Sequence, residues 1–412
     1  MGHIVRTPEG SYRANWRDET GRQKAKSFRT RKEAAGFMAQ VEAAIHQGLY
    51  VDPHAGRQSF GPYAERWLAA RATEKTTAAR DASIMRANVL PRWGSVPIGK
   101  IDHLAVQTWV SELAQRRSPA TVRECFRILS GVVRSAVRDR IIAVSPCEGV
   151  RLPKLRRKDS DGKIITPAVL GCSLLPALPE RHRALVGLAG GTGLRWGECL
   201  GLRWDAIDLE EGTVHVLRVA VEVSGHVSIK AYPKSRAGRR SVPLPPFVVQ
   251  LLIEHRRQSS IDEENSEPAT TPSVFANSAG GHLGGGHFRS RVWRPALVRA
   301  GLLGEAIESG PHRYKASWPD ASGIVWSAEF ATERECVTHV ASKAAGGLRF
   351  HDLRHSYATW LVSRGLPVND VQRVMGHENA ATTLGLYTHP SGRANERVRN
   401  AFADDLLIPE ES

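Results

Sequence analysis

Hydrophobic positions along this chain change their period from one region to the next. In GSYRANWRDETGRQKAKSFRT, Tyr12, Ala14 and Trp16 stand two apart between turn signals at Gly10 and Gly21. That alternation predicts two or three short strands. Thr30 then stands at the N-cap of a helix, RKEAAGFMAQVEAAIHQG, which Gly48 should end. From 57 to about 150 the period lengthens to three and four, and the stretch reads as all helix. Asp102 caps HLAVQTWVSELAQRR, and Ser118-Pro119 opens the last helix. There Val122, Phe126, Leu129, Val133 and Val137 form one apolar stripe, and Arg123, Arg127, Arg134 and Arg138 the opposite face. A four-helix bundle with a basic outer face fits this pattern.

The stretch SPCEGVRLPKLRRKDSDGK, rich in Pro, Gly and basic residues, reads as a linker. The remainder starts with helices at about 167–178 and 180–190. Three β stretches follow, TVHVLRVAVEV, HVSIKAYP and RRSVPL, and helices dominate from there on. No fixed-period repeat is evident. The expected fold is therefore multidomain. A small α+β module spans 1–52, an all-α helical bundle 57–150 and a basic linker 151–163. A mainly α domain with a small antiparallel sheet spans 164–400, and a tail covers 401–412.

Charge narrows the class. The chain of 412 residues carries a formal net charge of +15 and a sequence pI of about 10.0, which favours a polyanionic partner, nucleic acid before membrane. Arg22, Lys24, Lys26, Arg29, Arg31 and Lys32 follow one another with no acid between them. Such a run either protects a sheet edge or meets phosphates. The basic face with Arg123 and Arg127 is a second candidate DNA surface. Five cysteines without a CxxC pair argue against a disulfide framework or a zinc ribbon. No apolar run reaches the ~18 residues of a membrane span, and the N-terminus lacks an apolar signal region. The expectation is a cytoplasmic protein with no membrane partner.

Candidate chemistry is scattered. GLAGGTGLRWGECLGLRW lacks both GxGxxG and GxxxxGK[ST], so a phosphate-cradling loop is not indicated. A tight turn would instead present Arg195 at the start of a short helix, with Glu198 one turn on. Lys234 falls between two β stretches, on an expected hairpin. In LRFHDLRHSYATW, His351 and His355 have the spacing of a zinc-binding HExxH, but Asp352 stands where that motif has Glu. Arg354 would also place a fixed cation beside a metal. No metal site is expected. His351 and Arg354 share a helical face and suit an anionic ligand. Further on, Gly376-His377 ends a short helix and Tyr387 lies ten positions later (387 − 377).

Taken in order, TGLRWGE, PKSRAGRRSVPL, HDLRHSYAT, VMGH and TLGLYTH resemble the motifs of the tyrosine recombinase, or phage integrase, family. The resemblance covers about 57–400 and makes 57–150 a core-binding domain and 164–400 a catalytic domain. The module at 1–52 is similar in layout to the arm-type DNA-binding domains of large phage integrases. An unusual insertion at about 305–346 departs from the family pattern, and a capping box at Thr332 and Glu335 indicates that it folds.

The resemblance implies a site-specific recombinase that integrates or excises a mobile element by transesterification, with no cofactor. Tyr387 would attack a DNA phosphodiester to give a 3′-phosphotyrosyl bond and a free 5′-hydroxyl. Arg195 and Arg354 would clamp the nonbridging oxygens, with a hydrogen bond from His377. His351 would take the phenol's proton, and Lys234 would protonate the leaving 5′-oxygen. Glu198 would orient Arg195, and His355 would support the helix or contact a phosphate. The implied partners are double-stranded attachment sites and three further copies in a tetramer. An excisionase and a host DNA-bending protein enter as accessory factors, in a bacterial cytoplasm or nucleoid. Two rival readings share the fold: a type IB topoisomerase-like enzyme acting on one duplex, and a non-catalytic DNA-binding regulator.

Overall fold

A computed structural model describes residues 2–18, 21–47, 50–52, 54–155, 163–231, 238–262 and 273–376. The chain divides into two compact units, Met1–Arg157 and Lys158–Ser412, and the boundary falls within the expected linker. Helices form the majority, and the sheets are small and antiparallel.

The first unit opens with a three-stranded meander, β1 (His3–Arg6), β2 (Tyr12–Arg17) and β3 (Gln23–Phe28), with β2 in the centre. Helix α1 (Arg31–His46) covers one face. Thr30 accepts from the Glu33 N–H, and the Glu33 carboxylate accepts from the Thr30 N–H, so two N–H groups with no intrahelical partner are satisfied reciprocally. The helix closes on Gln47, and the expected terminator Gly48 lies outside the described residues. Ala14, Trp16, Ala34, Met38, Val41 and Tyr50 form the core of this module.

The bundle follows: α2 (Phe60–Ala69), then α3 (Lys75–Ile84) running through a π-helical turn into α4 (Leu90–Trp93), then α5 (His103–Arg116) and α6 (Pro119–Arg138). Asp102 and Ser118 cap α5 and α6 as the sequence predicts. The apolar stripe of α6 is wider than expected. Cys125, Ile128, Val132 and Ala136 are fully buried, whereas Phe126 and Val137 sit half-buried at its margins. The reason is that α6 packs against α2, α3 and α5, not against one neighbour. Cys147 joins this core and Val150 and Leu152 pack on it, so the ordered chain extends into the expected linker.

In the second unit a π-helical turn (Val169–Leu174) precedes α7 (Glu180–Thr192) and α8 (Trp196–Leu200). TVHVLRVAVEV is two strands. After β4 (Ile207–Asp208) come β5 (Thr213–Val216) and β6 (Val219–Val223), which belong to different sheets. β6 pairs with β7 (His226–Lys230) through a turn in which Ser224 and Gly225 both take positive φ, the type I′ geometry of tight hairpins. β8 (Arg240–Pro243) pairs with β5. Among the described residues β7 and β8 belong to different sheets, not to the one hairpin expected around Lys234. Lys234 lies in the connection between two sheets, outside the described residues.

Then come α9 (Pro246–Asp262), α10 (Gly285–Phe288) and α11 (Arg294–Arg299). The expected insertion folds as a second meander, β9 (Glu305–Gly310), β10 (Arg313–Pro319) and β11 (Val325–Phe330), followed by α12 (Glu333–Lys343). α13 (Phe350–Ser363) and α14 (Val368–Met375) complete the described chain. The core of this unit runs from Leu170 and Leu185 through Val242 and Leu297 to Leu353. The tail at 401–412 lies outside the described residues. No helix among the described residues is long and apolar enough to cross a membrane.

Candidate functional site

The site is built where three helix ends meet. α7 stops at Gly193, whose φ of +65° is a left-handed conformation. A Cβ there would also lie 2.6 Å from the Tyr357 ring, so glycine is required twice over. Two residues on, Arg195 becomes the N-cap of α8. Its N–H donates to Glu198 Oε2 at 2.9 Å and its guanidinium to Oε1 at 2.7 Å. Glu198 is only 2% exposed. Arg240, at the start of β8, donates to both oxygens of the same carboxylate, at 3.2 and 2.9 Å. Burial pushes Glu198 upward, but the Arg240 hydrogen bonds and the charges of Arg240 and Arg195 outweigh it and hold the pKa at about 2. Glu198 is thus a fixed anion between two guanidiniums.

α13 starts in the same way. Arg349 is its N-cap and pairs with Asp352 as Arg195 pairs with Glu198. One turn on, Arg354 is 2% exposed. It donates to the Gly193 carbonyl at 2.6 Å and to the Met375 carbonyl. Arg240 Nε donates to the Val374 carbonyl at 2.6 Å, and Arg195 to the Gly376 carbonyl at 3.4 Å. Three guanidiniums from three elements therefore hold three consecutive carbonyls at the C-terminal end of α14. Those carbonyls lack intrahelical partners and form the negative end of the helix dipole, so cations are favoured there. Gly376 then turns the chain off the helix with φ of +62°. Of the two expected clamp residues, Arg195 has the open side, with a side chain 41% exposed, and Arg354 lies beneath it.

His351 and His355 stand one turn apart with their rings edge to face, centroids 5.0 Å apart. His351 is exposed to solvent at the start of α13. Its pKa is depressed to about 4, by desolvation first and then by His355, Arg354 and Arg195. Burial also lowers His355. Both imidazoles are neutral at pH 7, so His351 can accept a proton, and an anion bound beside the arginines would raise its basicity. Among the described residues no group of His, Cys, Asp or Glu has metal-holding geometry.

The structure thus brings together Arg195, Glu198, His351, Arg354 and His355. His377 and Tyr387 lie outside the described residues, as does Lys234. Arg240 was missed, although its signal was legible: in RRSVPL it is two positions from buried Val242 and therefore on the inward face.

The candidate DNA-binding residues are redistributed. Lys24 and Lys26 pair in register with Trp16 and Ala14 and so share the face that α1 covers. Lys24 is ion-paired with Asp52, and Lys26 lies 4.7 Å from the Phe37 ring centroid. The open face carries Arg13 and Arg17 instead, which the basic run does not include. Arg22, Arg29, Arg31 and Lys32 are exposed around the turns and the start of α1. In the bundle, Arg127 is tied at 2.6 Å to Asp81, a fully buried carboxylate that Arg71 also holds, and Arg123 Nε donates to the Pro153 carbonyl. Both have a structural partner.

Arg240 gives a test of this geometry. A carboxyl with a depressed pKa stabilises the fold above its ordinary value of 4.5, and the gain is lost as pH falls toward about 2. Arg240→Met leaves Glu198 buried with Arg195 alone, so burial should raise its pKa. The expected result is a loss of about 3–5 kcal/mol in denaturant unfolding at pH 7. The midpoint of acid unfolding should also move to higher pH. A variant with the parent's pH profile would show that Arg240 does not hold Glu198 ionised.

Comparison with known proteins bears on the same region. The phage integrase family model matches residues 172–313 and 332–393. A tyrosine recombinase XerC-like protein of Caldanaerobacter subterraneus is 27% identical over 393 residues, covering 90% of each chain. A putative prophage phiRv2 integrase of Mycobacterium tuberculosis is 25% identical over 407 residues, covering 96% of this chain and 93% of its own. Among solved structures, the Tn1549 transposon integrase in complex with a circular intermediate DNA has a TM-score of 0.59 at 18% identity, covering 84% of this chain and 99% of that one. A lambda integrase tetramer bound to a Holliday junction has a TM-score of 0.51 at 16% identity, covering 94% and 96%.

Proposed function

We propose that this chain, which belongs to the phage integrase family and is a site-specific tyrosine recombinase, cuts and rejoins duplex DNA by metal-free transesterification through Tyr387. The observation that carries the mechanism is the convergence of Arg195, Arg240 and Arg354 on the last carbonyls of α14. His377 is the next residue in the chain. A phosphodiester seated against Arg195 would meet one open guanidinium, with a second buried behind it and a neutral imidazole alongside. The pentacoordinate transition state gathers negative charge on the nonbridging oxygens, and guanidiniums held by Glu198 and main-chain carbonyls need no reorganisation to receive it. His351 takes the phenol's proton, and Lys234 supplies one to the leaving 5′-oxygen. One ester replaces another, so no energy source is consumed.

The substrates in this reading are double-stranded attachment sites of a mobile element, with a tetramer acting on two duplexes. The open sheet face with Arg13 and Arg17, flanked by Arg22 and Arg29, reads secondary sites. An excisionase and a host bending protein are accessory partners in the same reading.

The test is trapping on a nicked attachment site, where loss of the small fragment prevents religation. A covalent adduct should accumulate, and two-site substrates should yield recombinant junctions. Relaxation of supercoils without junctions would favour a single-duplex topoisomerase. The adduct should form equally in EDTA, because fixed guanidiniums supply the charge that a metal would otherwise bring. Loss of cleavage in EDTA, restored by Mg²⁺, would overturn the metal-free mechanism.

A further inference from the structure

The segment between α11 and α13 repeats the N-terminal module. YRANWRDETGRQKAKSFRTRKEA, from Tyr12, aligns without a gap to YKASWPDASGIVWSAEFATEREC, from Tyr314, at an offset of 302 (314 − 12). Both fold as a meander with the second strand central, followed by a helix. The equivalences extend to individual bonds. In the first β2–β3 turn, Asp18 N–H donates to the Arg22 carbonyl and Gly21 N–H to the Asp18 carbonyl, both at 2.9 Å. Asp320, Ile324 and Gly323 repeat this at 2.8 and 3.1 Å. Thr30 and Thr332 each accept from the N–H three residues on, at 3.2 Å. Trp16 and Phe28 lie 5.3 and 5.0 Å from the Phe37 ring, and Trp318 and Phe330 lie 4.7 and 4.9 Å from His339 at the same place.

The copies differ where the framework leaves them free. The open face of the first carries Arg13 and Arg17 and no acid. On the second, Lys315 remains at the place of Arg13, but Pro319 replaces Arg17, Glu329 replaces Ser27 and Glu305 replaces His3. Ile307 and Val325 lie on this face, 57% and 68% exposed. The basic positions Arg22, Lys24 and Lys26 have become Ile324, Trp326 and Ala328. A face with two carboxylates around one ammonium does not attract a duplex.

The covered side has gained partners. Ala316, Cys336, Val337, Val340 and Ala341 enter the same core as Leu297, Leu348 and Leu353. Arg294 donates to the carbonyls of Ala341, Ala344 and Gly346 as α12 ends. Trp293 Nε1–H donates to the Leu348 carbonyl at 2.7 Å, one residue before Arg349 caps α13.

We propose that residues 305–343 are a second copy of the N-terminal module that has given up DNA reading and instead fixes the start of α13, with its His351 and Arg354. This rests on the recombinase reading of that helix. Two measurements on the full-length protein test it. In binding to attachment-site DNA across a salt series, Arg13→Ala with Arg17→Ala should flatten the log–log slope by about 1.8, roughly 0.9 for each lost phosphate contact. Lys315→Glu should leave slope and affinity unchanged. A slope reduced by Lys315→Glu overturns the loss of DNA reading. On the nicked site, Arg294→Met should slow cleavage roughly 10- to 100-fold with site affinity unchanged. It should also shift the low-pH fall in cleavage expected where His351, the proposed base, becomes protonated, and Arg294→Lys should recover part of the rate. Parent-like cleavage and pH profile in Arg294→Met overturn the positioning role. If the parent itself forms no adduct, the recombinase reading fails, and the salt series still decides whether this copy reads DNA.

Discussion

Tyr387→Phe should abolish the covalent protein–DNA complex and leave attachment-site binding intact. The substitution removes one oxygen and keeps the ring, so the proposed nucleophile is lost with no change of charge. Only about 0.1% of an unperturbed phenol is ionised at pH 7, so the reaction depends on a phenol placed within reach of both a base and the phosphate. Among the described residues one tyrosine lies near the arginines, Tyr357. It is buried against Val371 and Met375, its pKa is raised by that burial, and its ring occupies the space beside Gly193. It is a packing residue without access to a duplex, so it should not take over. The measurement is a denaturing gel of a nicked-site reaction. No shifted band should form with Tyr387→Phe, and a parental band should form with Tyr357→Phe. A band that survives in the first variant would place the nucleophile elsewhere.

Local signals in the sequence were read correctly where one element decides the outcome. The caps at Thr30, Asp102 and Ser118 depend only on neighbouring residues and form as predicted, and Thr332 accepts the Glu335 N–H of its expected capping box. Arg195 and Glu198 sit at one helix start because their spacing of three closes a capping geometry. Partners distant in sequence were not legible in the same way. Nothing near Arg127 announces Asp81, and nothing near Lys24 announces Asp52, so basic residues assigned to phosphates have structural partners. Arg240 was passed over because a charged residue in RRSVPL reads as solvated, although its strand position points inward. The repeat at 305–343 escaped notice because its cations changed, and cations were what marked the first copy. What persists are the residues that the turn and the core demand, such as Asp320, Gly323, Trp318 and Thr332.

Lys234→Ala should be impaired by about 10²–10⁴-fold in cleavage, the usual loss when a general acid is removed, and should recover most of that rate on a substrate with a bridging 5′-sulfur. Lys234 lies six positions before Arg240 (240 − 234). Arg240 is fixed on Glu198 and Val374. A 5′-alkoxide is a poor leaving group and must gain a proton as it departs. Sulfur removes that need, because a thiol has a pKa of about 8.5 and leaves as thiolate at neutral pH. Recovery on sulfur thus reports proton donation and nothing else. Arg354→Ala should stay impaired on both substrates, since the nonbridging oxygens are the same in each and the substitution also frees the Met375 and Gly193 carbonyls. Single-turnover rates on the paired substrates decide the matter. Equal defects for Lys234→Ala on oxygen and sulfur would remove it from the acid role and turn the search to Lys230, His351 and His355.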